Sequence, residues 1–188
     1  MTKWHGGKGS TQRKVVLDKF SYGYDLIWNK KQTMNKQSVY EQLKIDEGVK
    51  YEVYLDHLGY KTFGIGHLVT RRNPEWYYEV GTPVSEERVR EAFENDIQVS
   101  ISECMTLYGQ EDFCSFPDEV QQILVNMMFN LGRPRLEGFR KFNAAIKEGR
   151  WAEAAVEGRD SLWYKQVTNR AERLMTRLEN LNKFAERV

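Results

Sequence analysis

Two carboxylates, Glu47 and Asp56, stand close together in the run Ile45-Asp46-Glu47-Gly48 to Tyr54-Leu55-Asp56. A pair of carboxyl groups can cleave a glycosidic bond, one protonating the leaving oxygen while the other supports a water or attacks directly. The chain holds 27 Asp and Glu in all, and most carboxylates are plain surface charges, so the pair by itself is a weak signal. Other chemistries find less support. His5, His57 and His67 form no H-E-x-x-H pattern, and no metal site is expected. Cys104 and Cys114 form no C-x-x-C motif; a disulfide is open to them, but free thiols are expected of a chain with no secretory signal. Gly64-Ile65-Gly66-His67 contains a G-x-G without the following G-K-S/T of a phosphate loop. Close backbone approach within a hairpin is the better reading of those glycines.

The pair needs elements to hold it. Ser38-Val39-Tyr40-Glu41 fits a capping box, which predicts a helix from Ser38 to Asp46 or Glu47, ended by Gly48. Residues 51–56 and 61–65, rich in Tyr, Val, Phe and Ile, predict a β-hairpin turning at His57-Leu58-Gly59-Tyr60. Glu47 then closes a helix and Asp56 closes a strand, and both open onto one cleft if the hairpin folds back beside the helix. Ser85 reads as the cap of another helix, followed by Glu86 and Glu87. Further on, Val120, Ile123, Leu124, Met127 and Leu131 make one apolar stripe. Phe139, Phe142, Ala145 and Ile146 mark a helix before Gly149. Trp151, Ala154 and Ala155 mark another, and Ala171 to Leu181 a last one. The fold class is α+β, a small β-hairpin lobe beside a larger helical lobe.

Composition is that of a globular domain: 40% hydrophobic, 29% charged, net charge +1. No run reaches the roughly 18 apolar residues of a membrane span. The N-terminus lacks an apolar segment behind its charges, which predicts a protein made in a cytosol and kept there until released. Charge is uneven. Residues 1–37 carry eight Lys and Arg against two Asp, 38–118 seven against sixteen acids, and 119–188 thirteen against nine. Solvated surfaces explain this, or an acidic catalytic region beside basic faces that meet a polyanion. Residues 1–37 read as a basic extension, with a short helix open to the stretch Val15 to Trp28, and residues 38–188 as the catalytic domain.

The order of motifs is more specific than any one of them. Asp46-Glu47-Gly48, Tyr54, Asp56, Gly59-Tyr60, Thr62 and Gly64-Ile65-Gly66-His67-Leu68 are followed by Phe93-Glu94-Asn95-Asp96 and Asn126 to Gly132. Gly138-Phe139, Arg150-Trp151, Trp163-Tyr164 and Thr168-Asn169-Arg170-Ala171 complete the series. This arrangement resembles the phage T4-type lysozymes of glycoside hydrolase family 24 over about residues 38–185. The resemblance implies a lysozyme-like fold with a cleft between the lobes. It implies Glu47 as general acid, Asp56 as second carboxylate and Thr62 as holder of the attacking water. It further implies Arg170 paired with Glu47, a His67–Asp96 salt bridge, and Leu68 and Phe129 in contact with the sugar chain.

Implied with these are hydrolysis of peptidoglycan glycan strands with inversion, no cofactor and no metal. A monomer without membrane anchor or nucleic-acid partner is expected. It would serve host lysis in a phage cycle, leaving the host cytoplasm through a holin-like pore for the periplasm and cell wall. A virion-borne lysozyme used at entry and a glycan-binding module that does not cut are the alternatives. Trp151 and Trp163 are read as core residues rather than sugar platforms. Two departures from the family stand out. The interval from His67 to Asp96 is short, which predicts a shortened helix between the lobes. Phe142 and Glu157 occupy positions where small or amide residues line the family's cleft.

Overall fold

A computed structural model describes residues 34–185, and residues 35–185 form one compact unit of the chain. The helix expected within Val15 to Trp28 lies outside the described residues. The described body opens with α1 (Lys36–Glu47) and a sheet of β1 (Lys50–Leu55), β2 (Lys61–Gly64) and β3 (His67–Leu68). After a 3-10 turn at Pro74–Tyr77 come α2 (Glu86–Tyr108), α3 (Gln110–Ser115), α4 (Asp118–Leu131) and α5 (Arg133–Glu137). The chain continues through α6 (Arg140–Lys147), α7 (Trp151–Arg159), α8 (Leu162–Gln166) and α9 (Thr168–Ala185). The α+β class and its two lobes are as the sequence predicts.

The start of α1 is a correction. Its cap is Asn35, whose side chain accepts the Ser38 N–H at 3.1 Å, and no capping box forms. Asn caps as well as Ser. Ser38 is thereby free to donate its hydroxyl to Gln122 Oε1 of α4 at 3.0 Å, while Glu41 takes a bond from Gln37. The end of α1 is as expected: Gly48 has φ +72°, and its N–H closes on Lys44 O.

The sheet is antiparallel in the order β1-β2-β3. Strand β3 has two residues, too few to show alternation, and nothing in the sequence marked it. Tyr54 pairs with Thr62, and Thr62 pairs in turn with Leu68. Val53 and Phe63 point to the other side, into a small core with Val69, Val84, Val89 and Ala92. Gly64 shows why the hairpin needs glycine. It has φ +61°, and a Cβ there would stand 3.0 Å from Val89 Cγ1 of α2.

Helix α2 is capped by Ser85, as expected, and packs on β2 and β3 near one end and on α4 further along. At 23 residues it is the longest described helix, and its length shows nothing of the shortening expected of the connecting helix. The brevity of the His67–Asp96 interval falls on residues 69–85, where one 3-10 turn and loop suffice to bring the chain from β3 to Ser85.

In the helical lobe α4 is more enclosed than a single stripe implies. Every residue from Val120 to Met128 is buried, Gln121, Gln122 and Asn126 among them. The polar ones are tolerated because each is hydrogen-bonded: Gln121 to Phe116 O at 2.8 Å, Gln122 to Asp118 at 2.6 Å, and Asn126 as described below. Helices α7 and α9 approach so closely that a Cβ on Gly158 would run into Met175 Sδ. Phe142, 1% exposed, belongs to this core, which corrects its placement in the cleft; Glu157 pairs with Lys141. Cys104 and Cys114 are both free.

Candidate active site

Glu47 is the last residue of α1, and its side chain keeps 27% of its surface open. One oxygen, Oε1, is engaged by the protein: Arg170 Nη1 donates to it at 2.5 Å and Asn130 Nδ2 at 3.4 Å. Oε2 takes no bond from another described residue and is left for chemistry. Arg170 sits in the first turn of α9 and is 6% exposed. Its Nε donates to Asn126 Oδ1 at 2.8 Å and its Nη2 to Asn126 O at 3.0 Å, so the guanidinium plane is fixed. The neighbouring Asp46, with a side chain 1% exposed, takes Arg173, Asn126 Nδ2 at 2.9 Å, and Arg170 Nε at 3.5 Å. Acids at a helix C-terminus and arginines at a helix N-terminus are each opposed by the helix dipole. Here the two unfavourable ends meet and offset each other, and the Arg170–Glu47 pair among them is the one the family resemblance implies.

The sequence reading missed the residues of α4 that lock this arrangement. Gln122, Asn126 and Asn130 recur every fourth residue and face α1 as a polar row. They meet Ser38, Asp46 and Glu47 respectively. Asn130 Oδ1 accepts the Trp163 indole N–H at 2.8 Å, and since an indole only donates, the amide must turn its NH2 to Glu47. Trp163 is thus a buried support of the site and not a sugar platform. Trp151 packs edge-on against Phe116 and is likewise a packing residue. The four-residue recurrence of amides on an otherwise apolar helix was the signal available in the sequence.

Asp56 lies where β1 ends, half-buried. Its Oδ1 accepts the backbone N–H groups of Leu58 and Tyr60, both at 2.8 Å, which ties the carboxylate to the hairpin turn. Oδ2 takes no bond from a described residue. Thr62 is 4% exposed and donates its hydroxyl proton to Tyr60 O at 3.1 Å. Its remaining capacity is to accept. Leu68 stands across the ladder from Thr62 and is half-buried. Phe129 is half-buried too, packed on Phe93 of α2 with centroids 6.1 Å apart.

The two carboxylates meet in their effect on Tyr54. Burial, then the charge of Asp56, then that of Glu47 push its phenol above the ordinary value. Lys50 lies over the same ring, its Nζ 4.1 Å from the centroid.

His67 and Asp96 are the pair the resemblance implies, Nδ1 donating to Oδ2 at 2.8 Å, as a hydrogen bond where a salt bridge was expected. The other ring nitrogen faces Asn73 Nδ2 at 3.1 Å. Asn73 Oδ1 is taken by the Thr70 N–H and hydroxyl, so the amide nitrogen is the atom turned to the ring. Nε2 therefore accepts, and the proton on Nδ1 is the one given to Asp96. Beside this pair Arg88 clasps the buried Glu75 through two bonds, at 2.6 and 3.1 Å. Among the described residues no three His, Cys, Asp or Glu side chains converge as a metal site would require.

A family model described as phage lysozyme matches residues 44–180. The pre-baseplate central spike protein Gp5 of Enterobacteria phage T4 is 30% identical over 154 residues, which take in 73% of this chain but only 27% of that protein. Two proteins of Dictyostelium discoideum, probable T4-type lysozymes 1 and 2, are 31% and 32% identical over 76% of this chain and 94% of their own length. The matched residues include both carboxylates, the hairpin between them, the amide row of α4 and Arg170: the chain belongs to the phage lysozyme family.

Proposed function

We propose that this chain hydrolyses the β-1,4 bond between N-acetylmuramic acid and N-acetylglucosamine in bacterial peptidoglycan, with inversion. The observation that carries this reading is the matched state of the two carboxylates, each with one oxygen held by the protein and one left free. Glu47 gives its proton to the glycosidic oxygen. The carboxylate that remains faces Arg170, which stabilises the charge formed. Asp56 takes one proton from a water that attacks the opposite face of the sugar, and Thr62 accepts a hydrogen bond from the other, which stays on the new hydroxyl. Leu68 and Phe129 flank the glycan. Neither metal nor cofactor takes part. Digestion of purified peptidoglycan tests this: new reducing ends on muramic acid, appearing first as the α-anomer by proton NMR, are expected. Reducing ends on glucosamine, or freed amines without new reducing ends, would overturn it.

In the biology we propose, the enzyme acts as a monomer in host lysis at the end of a phage cycle. It leaves the host cytoplasm by a holin-like pore for the periplasm and cell wall. No described helix is long and apolar enough to cross a membrane. The likeness to a phage spike protein favours a second reading, a lysozyme carried in the particle and used at entry. Mass spectrometry of purified particles decides: absence of the chain supports lysis from within, and stoichiometric presence supports entry.

A further inference from the structure

Tyr54 has no part in the mechanism given so far, yet the fold sets it among the residues that do. Its direct partner across the ladder is Thr62, and residues opposed in this way carry their side chains on one face, with Cβ atoms about 4.5–5.5 Å apart. Asp56 continues the same ladder, its N–H bonded to Tyr60 O at 2.9 Å, and so falls two residues on from Tyr54 on the same face. Leu68 extends the row beyond Thr62. The strand neighbour Val53 is wholly buried on the opposite side, which fixes the direction of Tyr54. The Tyr54 hydroxyl makes no hydrogen bond to another described residue.

We propose that Tyr54 is a positioning residue for hydrolysis, its hydroxyl donating to the water that Asp56 activates. This rests on the reading of Glu47 and Asp56 given above. Thr62 has spent its own proton on Tyr60 O and can offer the water only an acceptor. Asp56 Oδ2 is a second acceptor. Two acceptors take both water protons but leave its lone pairs undirected. A phenol beside them supplies the missing donor: it binds one lone pair and leaves the other aimed at the anomeric carbon. In the attack a bond forms from that lone pair to the carbon, and one water proton passes to Asp56. The glycosidic bond breaks with its electron pair on the leaving oxygen, which takes the proton of Glu47. The surroundings suit the donor role, because burial and the charges of Asp56 and Glu47 all keep the phenol protonated. Lys50 over the ring stabilises the side chain without competing for the hydroxyl.

The test is steady-state kinetics of the full chain on soluble, uncross-linked glycan strands. Tyr54→Phe keeps the ring and removes only the donor. Its kcat is expected to fall about 10- to 100-fold, the worth of one hydrogen bond that orients the attacking water, with KM little changed. A residue that merely supports the sheet would alter melting and leave kcat in place. Because Tyr54 and Thr62 hold one water, Tyr54→Phe and Thr62→Val should be strongly non-additive, the double variant hardly slower than the worse single. 3-Fluorotyrosine at position 54 retains the hydroxyl and should retain kcat, which also guards against a Tyr54→Phe chain that fails to fold. A folded Tyr54→Phe enzyme with wild-type kcat, a loss confined to KM, or losses that multiply with Thr62→Val would each overturn the proposal. Asp56→Asn measured alongside separates the two readings. An active Asp56→Asn removes both, whereas an inactive Asp56→Asn beside a fully active Tyr54→Phe removes the role of Tyr54 alone.

Discussion

Arg170 touches the largest number of groups that the mechanism depends on. It holds Glu47 Oε1, the side-chain and backbone oxygens of Asn126, and the edge of Asp46. Arg170→Met removes a buried charge and leaves two carboxylates with one fewer counter-charge. Breaking one side of a buried pair costs about 3–5 kcal/mol, and the retention of Arg173 by Asp46 places the expected loss near the lower end. Activity should fall with it, since the carboxylate left after proton transfer loses its guanidinium. Urea unfolding and kcat on soluble glycan measure the two effects. A variant as stable and as active as the parent would show that Arg170 does not bear on Glu47.

At this scale much of the site was legible, because the chemistry confines residue types to fixed places in a motif. Glu47 closes α1 and Asp56 follows β1 as predicted, and the Arg170–Glu47 and His67–Asp96 pairings implied by the resemblance are present. Asn126 and Asn130 were passed over: an amide carries no chemistry of its own, and its importance arises only once the fold turns it toward Glu47 and Asp46. The amide row is a property of spacing in three dimensions, and the apolar stripe on the same helix masked it.

Among the elements, the small sheet depends on partners drawn from elsewhere in the chain. A three-stranded sheet is too small to bury its own face, and α2 supplies the other side through Val89 and Ala92. The Arg88–Glu75 pair ties the 3-10 turn to the start of α2. Burial disfavours the Glu75 carboxylate, but the bonds and charge of Arg88 outweigh it and hold the group below its ordinary value. The stabilisation is therefore present above the ordinary glutamate range and is lost as pH falls through the lowered value. Glu75→Gln should destabilise the protein at pH 7 and lose that penalty progressively below about pH 4. Denaturant melts across pH 2–7 check the sign, and a penalty that grows toward acid pH would contradict it.

Elements were harder to read than residues where they were short or where local preference had a competitor. Strand β3 has no pattern to detect, and α5 and α8 are each little more than a turn. At α1 two good caps stood three residues apart, and the contact of Ser38 with Gln122 decided between them. The long α2 went unforeseen because interval length was assigned to the helix rather than to the loop before it.

At the scale of the whole molecule, charge is divided between a basic stretch at residues 1–37 and an acidic one at 38–118. An anionic envelope would attract the first and repel the second. We expect replacement of Lys3, Lys8, Arg13, Lys14, Lys19, Lys30 and Lys31 by Gln to leave hydrolysis of soluble glycan unchanged. Lysis of outer-membrane-stripped cells should slow at low ionic strength, with the difference fading above ~0.15 M salt as screening shortens the reach of the charges. Equal lysis at low salt would remove any targeting role for these residues.

In the reaction we propose the two lobes act together, with the acid carried by α1 and its arginine from the helical lobe and the water site carried by the sheet. Glu47→Gln tests that division most directly. It keeps the shape and the contact with Arg170 while removing the proton that must reach the leaving oxygen. Loss of a general acid costs about 10²–10⁴-fold or more, so the folded variant should show kcat/KM on soluble peptidoglycan glycan reduced by at least 10²-fold. A Glu47→Gln protein that melts as the parent does and cleaves glycan at a parental rate would contradict the assignment of Glu47 as the acid.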